Sequence, residues 1–354
     1  MRTHAVVTAL ATLAATAAGL LAPPAAATTP PTPAGWPAPA LTAPAGEAGS
    51  RMVTTWDPPT QSPALAAAAA AAATDCPELS RTANCETHTI HGDMFKDGVL
   101  TGGTDSVMFA AWHTNARERT FTVNIHITYV SAYGTAVGIS DLITASCTGT
   151  CTATGFITSP GAAPGVEYEG VLSFTDAVAA NQQHQTTPVF TATPVLPPDY
   201  VAEPGSGDAK TTMRCDDQLR GVRAGCIVKN ATPTVDMSGL PKIAENIRGI
   251  QARGGYGVPG DDARALHRIT REATINGNRR AVCSRRVVGS PPEPGLSCDE
   301  YPFASTKEGG TTLGTFYRGW AWVPRAEQNS QGGLLSSFYR TNRVLEDDPF
   351  WVKA

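Results

Sequence analysis

Alternation of apolar and polar residues predicts β-strands in the first half of the chain. The clearest run covers residues 120–129, in which Phe121, Val123, Ile125, Ile127 and Tyr129 alternate with polar residues, so that one face of the strand is buried. Further strand candidates lie at 106–112, 168–175 and 187–196, between Gly- and Pro-rich turns. With no comparable helical period, residues 75–196 are predicted to form an all-β, sandwich-like module.

A mixed pattern follows over residues 209–354 and predicts an α+β domain. The acidic pair Asp261-Asp262 precedes Leu266 and Ile269, which indicates a helix over 263–270. Strands are expected at 280–288 and 315–323. Asn329 or Ser330 is expected to open a final helix whose apolar face carries residues 334, 335, 338 and 339.

The segments outside these two domains have the composition of leader and linkers. Residues 1–27 combine Arg2 and His4 with an apolar run and a small-residue end, the layout of a secretory signal peptide. The Pro-, Ala- and Thr-rich residues 28–74 predict a disordered linker, and 197–208 a second linker between the domains. We therefore expect a secreted protein that no membrane holds after signal cleavage.

The eight cysteines fit export, because an even number in an oxidising compartment favours disulfides. Pairing of sequence neighbours is the first expectation, although other connectivities stay open. The alternative is a zinc site, which the absence of CxxC spacing disfavours. The neighbours are Cys76 and Cys85, Cys147 and Cys151, Cys215 and Cys226, and Cys283 and Cys298.

Charge is distributed unevenly along the chain. The formal net charge is −4, yet residues 211–354 carry 20 Lys and Arg against 15 Asp and Glu. A basic C-terminal part suggests a polyanionic partner, and a chance excess is the alternative. Arginines surround the acidic pair of this region at positions 279, 280, 285, 286, 318, 325, 340 and 343.

The acidic pair Asp299-Glu300 is the candidate for chemistry in this basic region. Hydrolysis of a phosphodiester needs oxygen ligands for a hard cation, a base for water and guanidinium groups for phosphates. Because a general base contributes only about 10²–10⁴-fold, we expect a cation to supply much of the remaining stabilisation. The alternative is that the pair is an ordinary solvated turn before Pro302.

The motifs around this pair resemble those of the deoxyribonuclease NucA/NucB family. The resemblance covers about residues 243–354 and leaves out the β-rich module. Its elements are Cys298-Asp299-Glu300-Tyr301-Pro302, then Glu308-Gly309-Gly310, Glu327-Gln328-Asn329-Ser330-Gln331-Gly332-Gly333 and Asp348-Pro349-Phe350-Trp351-Val352.

The resemblance implies a ββα-metal nuclease core with an aspartate as general base. Carried onto this chain, Asp299 would activate water, and Asn329 at the start of the last helix would help to hold Mg²⁺ or Mn²⁺. Glu300 and Glu308 would bind the cation or support the catalytic centre. This interpretation requires that Asp299 and Asn329 converge on one phosphate.

Other residues have both a functional and a structural interpretation. Substrate contacts are expected from His267, Arg286, Arg318 and Arg325, although His267 on the predicted helix also fits a partly buried structural role. A metal site at His88, His91 and Asp93 competes with ordinary solvated side chains. The aromatic residues 316, 317, 320 and 322 are expected to be core rather than base-stacking groups.

Together these observations predict a secreted, Mg²⁺- or Mn²⁺-dependent endonuclease that acts on DNA with little sequence specificity. One alternative is a non-catalytic extracellular binding protein, whose β module recognises a surface polymer and whose nuclease domain is degenerate. Another is a secreted nuclease effector or toxin that requires an immunity protein in the producing cell.

Overall fold

The computed structural model describes residues 49–74, 76 and 79–354, and the fold is mostly β. The expected signal peptide, and the linker as far as residue 48, lie outside the described residues. The first part has the bounds β1 Ser50–Trp56, α1 Pro63–Ala73, β2 Ala83–Lys96, β3 Val99–Thr114, β4 Thr120–Gly134, β5 Ser140–Ser146, β6 Cys151–Thr154, β7 Ile157–Thr158, β8 Glu167–Asp176, β9 Gln183–Thr186, β10 Val189–Val195, β11 Tyr200–Glu203 and β12 Gly205–Asp208. The second part has β13 Met213–Asp216, β14 Gly225–Val228, β15 Thr234–Asp236, α2 Pro241–Gln251, a 3-10 helix Asp262–Arg264, β16 Leu266–His267, α3 Glu272–Cys283, α4 Arg285–Val288, β17 Leu296–Tyr301, β18 Gly319–Pro324, α5 Arg325–Thr341 and β19 Pro349–Lys353.

Two sheets pack face to face in the first part of the chain. The larger has the strand order β11-β1-β2-β3-β4-β8-β6 and the smaller β12-β10-β5-β7. Their inward side chains share one core, in which Phe121 stacks on Phe174 at 4.8 Å and Trp112 lies 5.7 Å from Phe190 of the smaller sheet. The alternation that marked 120–129 as a strand is therefore the inner and outer face of β4.

Both linkers expected from composition contain regular structure. Ser50–Trp56 forms β1, which pairs with β2 and β11. Pro63–Ala73 is a helix because alanine has the highest helix propensity and Ser62 caps the first turn, its Oγ accepting from Leu65 N at 3.1 Å. The stretch expected as the second linker contributes β11 and β12 to the two sheets. Composition misled for β1 and β11 because these two strands, far apart in sequence, pair with each other.

The sandwich extends beyond residue 209, where the sequence predicts the second domain to begin. Strand β13 pairs with β14 and with β9, and these three strands form a third sheet of order β14-β13-β9. Met213, Cys215, Cys226 and Val228 accordingly pack in the first core. A separate core begins at Val235. The two cores therefore divide the chain near residue 232 rather than at 209.

The second core is built around helices α2 and α5. Ile243, Ile247 and Ile250 are spaced at three and four residues along α2, so they share its buried face. They pack with Leu335 and Phe338 of α5 in one cluster. Tyr301 of β17 and Val323 of β18 belong to the same cluster, so the hairpin of these two strands packs on this core. Helix α5 follows β18 directly.

Two secondary-structure predictions for this domain are wrong. The helix expected over 263–270 is a single 3-10 turn followed by β16, whose Leu266 pairs with Phe350 of β19. The strand expected over 280–288 is instead the end of α3 and all of α4. In the first case the partner strand lies more than eighty residues away, so the local pattern of apolar residues does not encode it.

Buried ions join the sandwich to the C-terminal domain. Arg343, which follows α5, is fully buried and pairs with the buried Asp216 of β13 through Nη2 at 2.5 Å and Nε at 2.8 Å. Arg214 of β13 reaches across to Asp348 at 2.6 Å. Two ion pairs therefore cross the boundary between the two cores. Both arginines are buried in these pairs, so neither is available to a ligand.

The four disulfides pair sequence neighbours: Cys76–Cys85, Cys147–Cys151, Cys215–Cys226 and Cys283–Cys298. The last ties the end of α3 to β17, next to Asp299. In the described part of the chain, no helix combines the length and apolar character that a membrane crossing requires. Disulfides of this number fit an extracellular protein.

Candidate functional site

The β17–β18 hairpin and the helix that follows it position Asp299. Strand β17 pairs antiparallel with β18, and Asp299 lies opposite Ala321. Adjacent residues of a strand point to opposite faces, so Asp299 and Glu300 are directed to opposite sides of the hairpin. Asp299 faces helix α2 and Glu300 faces α3.

Two amide side chains hold the carboxylate of Asp299, which is only 1% exposed. Gln331 Nε2 donates to Oδ1 at 2.8 Å, and Asn246 Nδ2 donates to Oδ2 at 3.2 Å. Burial raises the pKa of Asp299 to about 6, against the opposing effect of hydrogen bonds from Asn246 and Gln331. A carboxyl group with this pKa is ionised at neutral pH and is still basic enough to accept a proton.

Glu300 occupies a different and equally unusual environment. Burial raises its pKa to about 7, the negative charge of Asp299 adds to the rise, and Arg279 opposes it. The Arg279 guanidinium lies 3.8 Å from Oε1, and Sγ of Cys283 lies 3.2 Å from Oε2. Glu300 lines a cleft of about 270 Å³ together with Arg279, Gln328 and Gln331.

Helix α5 begins at Arg325, so Asn329 lies in its second turn and not at its start. Asn329 is exposed, and the amide that contacts Asp299 belongs to Gln331. On an α-helix, Glu327, Gln328 and Gln331 are spaced i, i+1 and i+4 and share the face toward Asp299. The convergence expected between Asp299 and Asn329 is therefore made by Gln331 in this structure.

Glu327 and Gln328 were missed at the level of sequence. Oε2 of Glu327 accepts from the backbone N–H groups of Lys242 at 2.9 Å and Ile243 at 3.2 Å, which caps the first turn of α2. Its negative charge also raises the pKa of Asp299. Oε1 of Gln328 is buried without a hydrogen-bond partner. Their helical spacing relative to Gln331 would have indicated them if α5 had been expected to begin at Arg325, four residues before Asn329.

Glu308 contacts His267 rather than the Asp299 pocket. Its Oε1 lies 2.9 Å from Nδ1 of His267, and its Oε2 accepts from the His267 backbone N–H at 2.9 Å. His267 belongs to β16 and not to a helix. The imidazole is partly exposed, so its Nε2 can meet a ligand while Glu308 fixes the orientation of the ring.

The candidate substrate-binding arginines are all at the surface or partly so. Arg286 in α4 and Arg325 at the start of α5 are exposed. Arg318 is half-buried, and its Nε donates to the carbonyl of Leu313 at 2.9 Å. Each retains guanidinium hydrogens that can donate to phosphate oxygens.

The candidate metal site of the β module is not assembled. His88 contacts Asp57 at 2.6 Å and Glu86 at 3.2 Å, which is a cluster separate from that of His91. Burial lowers the pKa of His91, but bonds to Asp105 and Asp93 outweigh it and raise the value to about 10. Over residues 49–74, 76 and 79–354, no three His, Cys, Asp or Glu residues are grouped as a metal site.

Comparison with protein families supplies the deciding observation. Residues 258–353, which hold Asp299, Glu300, Glu308 and α5, match the family model of deoxyribonuclease NucA/NucB. This part of the chain is therefore similar to that deoxyribonuclease family. The comparisons with curated proteins and with solved structures give no significant match. The match stops short of the sandwich, so it bears on the C-terminal domain alone.

NucA/NucB nucleases generally use divalent cations. Asn246 and Gln331 present N–H groups to Asp299 and cannot hold a cation there, whereas the carboxylates of Asp299, Glu300 and Glu327 are oxygen donors of the kind that Mg²⁺ and Mn²⁺ prefer. The unsatisfied, buried Oε1 of Gln328 is an oxygen of this kind next to the carboxylates. The chemistry of the site therefore fits such a cation.

The aromatic residues near β18 do not form the core expected of them. Phe316, Tyr317 and Trp320 are 58%, 42% and 39% exposed. Trp322 is half-buried, and its ring meets Trp320 edge to face at 5.7 Å. The prediction failed because Phe316 and Tyr317 precede β18, and because Trp320 and Trp322 lie opposite Glu300 and Cys298, on the face of the hairpin away from the second core.

Proposed function

We propose that this protein is a secreted, divalent-cation-dependent endonuclease that hydrolyses DNA phosphodiester bonds with little sequence specificity. The observation that carries the proposal is the environment of Asp299, a buried carboxylate fixed by two amides with a pKa of about 6 inside the NucA/NucB match. Perturbed acids of this kind are typical of catalytic sites.

Asp299 is the general base in this proposal. Each carboxylate oxygen has two lone pairs, and each of the two amide donors uses only one, so Asp299 can accept a proton from water. Gln331 and Asn246 act as positioning residues that hold the carboxylate in one orientation. Glu300 lies on the other face of the hairpin, in the cleft that it shares with Gln328, and it is assigned to the cation rather than to proton transfer.

Glu327, Gln328 and Glu300 are the residues that would hold a Mg²⁺ or Mn²⁺ ion. Glu327 and Gln328 share the helix face toward Asp299, which places them better than the exposed Asn329. A bound divalent ion would stabilise the negative charge that develops on the phosphate. The assignments of Asn329 as a ligand and of Glu308 as a catalytic residue stay predictions.

Low sequence specificity follows from the kind of contact that the surface offers. Arg286, Arg318 and Arg325 can donate to phosphates, and phosphate contacts carry no information about the base. Secretion is supported by four disulfides and by the predicted signal peptide. A surface polymer as ligand of the sandwich, and an immunity protein as partner, also stay predictions.

The test is nicking of supercoiled plasmid by the purified protein with Mg²⁺ or Mn²⁺. We expect nicking that stops with EDTA and that Asp299→Asn lowers by at least ~10²-fold, the minimum contribution of a general base. Glu293→Gln, an isosteric loss of charge in the exposed loop before β17, is the matched control and should nick like the wild type. An intact plasmid with the folded wild type would favour the non-catalytic binding protein.

A further inference from the structure

An open depression of about 640 Å³ lies between the β3–β4 loop and the β13–β14 loop. The first loop contributes Arg117 and Arg119 to its lining, and the second contributes Arg223. Two acidic residues, Glu118 and Asp217, line it as well. The depression lies outside the family match, which begins at residue 258.

Two further arginines extend the positive charge beyond the depression. Nη2 of Arg340, in α5, donates to the carbonyl of Arg220 at 3.3 Å. Arg220 lies in the β13–β14 loop, three residues before Arg223. We call the five residues the basic patch: Arg117, Arg119, Arg220, Arg223 and Arg340. All five are exposed, and none forms an ion pair with another described residue. Five arginines against two carboxylates leave this surface cationic.

The backbone beneath the basic patch is fixed by buried groups. Nη1 of the buried Arg343 donates to the carbonyls of Ala116 at 2.6 Å and Arg223 at 2.8 Å, which joins the two loops. The N–H of Cys226 donates to the carbonyl of Glu118 at 3.0 Å, and the disulfide of Cys226 closes the β13–β14 loop. Because the loops are already ordered, an anion that binds here has only side chains to immobilise.

The chemistry of the basic patch fits the phosphates of a nucleic-acid backbone. A guanidinium group can donate two parallel N–H bonds to one phosphate. A DNA duplex carries one negative charge for about every 1.7 Å of its axis, so it can engage several arginines at once. The described residues that line the depression include no aromatic ring that could stack on a base. Contacts at this surface are therefore with phosphates and independent of sequence.

The basic patch is separate from the candidate catalytic pocket. Gln331, which contacts Asp299, and Arg340 are nine residues apart on α5. Nine residues advance a helix by ~13.5 Å and turn it by about two and a half turns, so the two side chains leave the helix on opposite sides. A phosphate held at Asp299 is therefore out of reach of Arg340.

We propose that the basic patch is a second docking site for DNA, which binds backbone phosphates away from the bond that is cleaved. Two contacts with one polymer make the second contact intramolecular and raise its effective concentration. The patch thus keeps the enzyme on its substrate between cleavage events. The choice of DNA as the polyanion rests on the proposed nuclease function.

The test measures the salt dependence of DNA binding by the full-length protein. A short fluorescent duplex is titrated in EDTA, which separates binding from cleavage, at a series of salt concentrations. Each phosphate contact contributes about 0.9 to the slope of log affinity against log salt. Arg223→Gln should reduce the slope by about 0.9, and the double variant Arg117→Gln, Arg223→Gln by about 1.8. Over a tenfold rise in salt, the wild type should thus lose roughly 60-fold more affinity than the double variant.

Lys96→Gln is the matched control for the loss of one positive charge. Lys96 is exposed at the end of β2, and the whole length of β3 separates it from the β3–β4 loop. This variant should keep the wild-type slope. Glu118→Gln removes a negative charge from the depression and should tighten binding.

A folded double variant with the wild-type slope, or weaker binding by Glu118→Gln, would overturn the proposal. Polyglutamate is titrated in parallel as an anion that is not a nucleic acid. If the double variant loses affinity for polyglutamate but not for DNA, the patch serves another anionic polymer and the proposal fails. A reduced slope in the double variant, with no plasmid nicking by the wild type, would uphold the docking site and refute the nuclease function.

Discussion

Replacement of Gln331 by leucine tests whether the amide clamp sets the acidity of Asp299. Gln331 Nε2 donates to Asp299 Oδ1 at 2.8 Å in a buried setting. A hydrogen bond to a charged group contributes about 1.5–3 kcal/mol, and 1.36 kcal/mol corresponds to a tenfold change in an acid constant. Loss of the donor destabilises the carboxylate, so the pKa of Asp299 should rise from about 6 to roughly 7–8.

The assay is the pH dependence of plasmid nicking at limiting substrate. A base must be ionised to act, so the wild type should lose activity as the pH falls through about 6. In Gln331→Leu the same acid limb should lie at higher pH, with nicking reduced several-fold near neutrality and recovered in alkaline buffer. Ser336→Leu, which places the same side chain on the exposed face of α5, should keep the wild-type profile. An acid limb that does not move in Gln331→Leu would refute the assignment of Asp299 as the titrating base.

Two further predictions concern stability. Glu300 has a pKa of about 7, above its ordinary 4.5, so the native state binds the proton more tightly than the unfolded state, and stability falls as the pH rises between these two values. The melting temperature of Glu300→Gln should therefore rise relative to that of the wild type as the pH is raised from about 5 to 8. A difference in melting temperature that does not change with pH would contradict the shift. Arg343→Met leaves the buried Asp216 without its main partner and should cost ~3–5 kcal/mol in urea unfolding, whereas Arg286→Met at the surface should cost less than about 1 kcal/mol.

The strands of the sandwich could be read from the sequence because their signal is local. Alternation in 120–129 is the pleat of β4 itself, and the candidates at 168–175 and 187–196 coincide closely with β8 and β10. Strands β1, β11 and β12 carry weaker alternation, and β1 and β11 pair with each other although Ser50 and its partner Tyr200 lie far apart in sequence. A composition-based linker prediction cannot detect such pairing.

The residue expected to face Asp299 differs from the one in the structure, and the role of Asp299 stays a prediction. Asp299 could be singled out from its motif, while the amide that contacts it depends on where α5 begins. We expected the helix to begin at Asn329, with this side chain directed at Asp299. The helix begins at Arg325, so Asn329 lies in its second turn and Gln331 contacts Asp299 instead. Each residue of such an error rotates a helix face by about 100°.

Burial of the arginines also depends on tertiary structure. Arg325 and Arg343 both belong to the arginines that surround the acidic pair in the sequence. In the structure Arg325 is exposed, whereas Arg343 is enclosed by Asp216 and three backbone carbonyls. Arg343 has a positive φ of 45°, a strained conformation for a residue with a side chain. Its hydrogen bonds offset that strain, so this arginine serves the junction of the two cores and not the substrate.

The same junction also links the stability of the C-terminal domain to the strands that precede it. The family match begins at residue 258, but Asp348 near its end pairs with Arg214 of β13, whose neighbours lie in the sandwich core. A chain cut within residues 209–231 would separate β13 from β9 or remove Arg214 altogether, leaving buried charges without partners. The C-terminal domain therefore depends on β13 for the partner of its Asp348, which gives the sheet of β14, β13 and β9 a structural role.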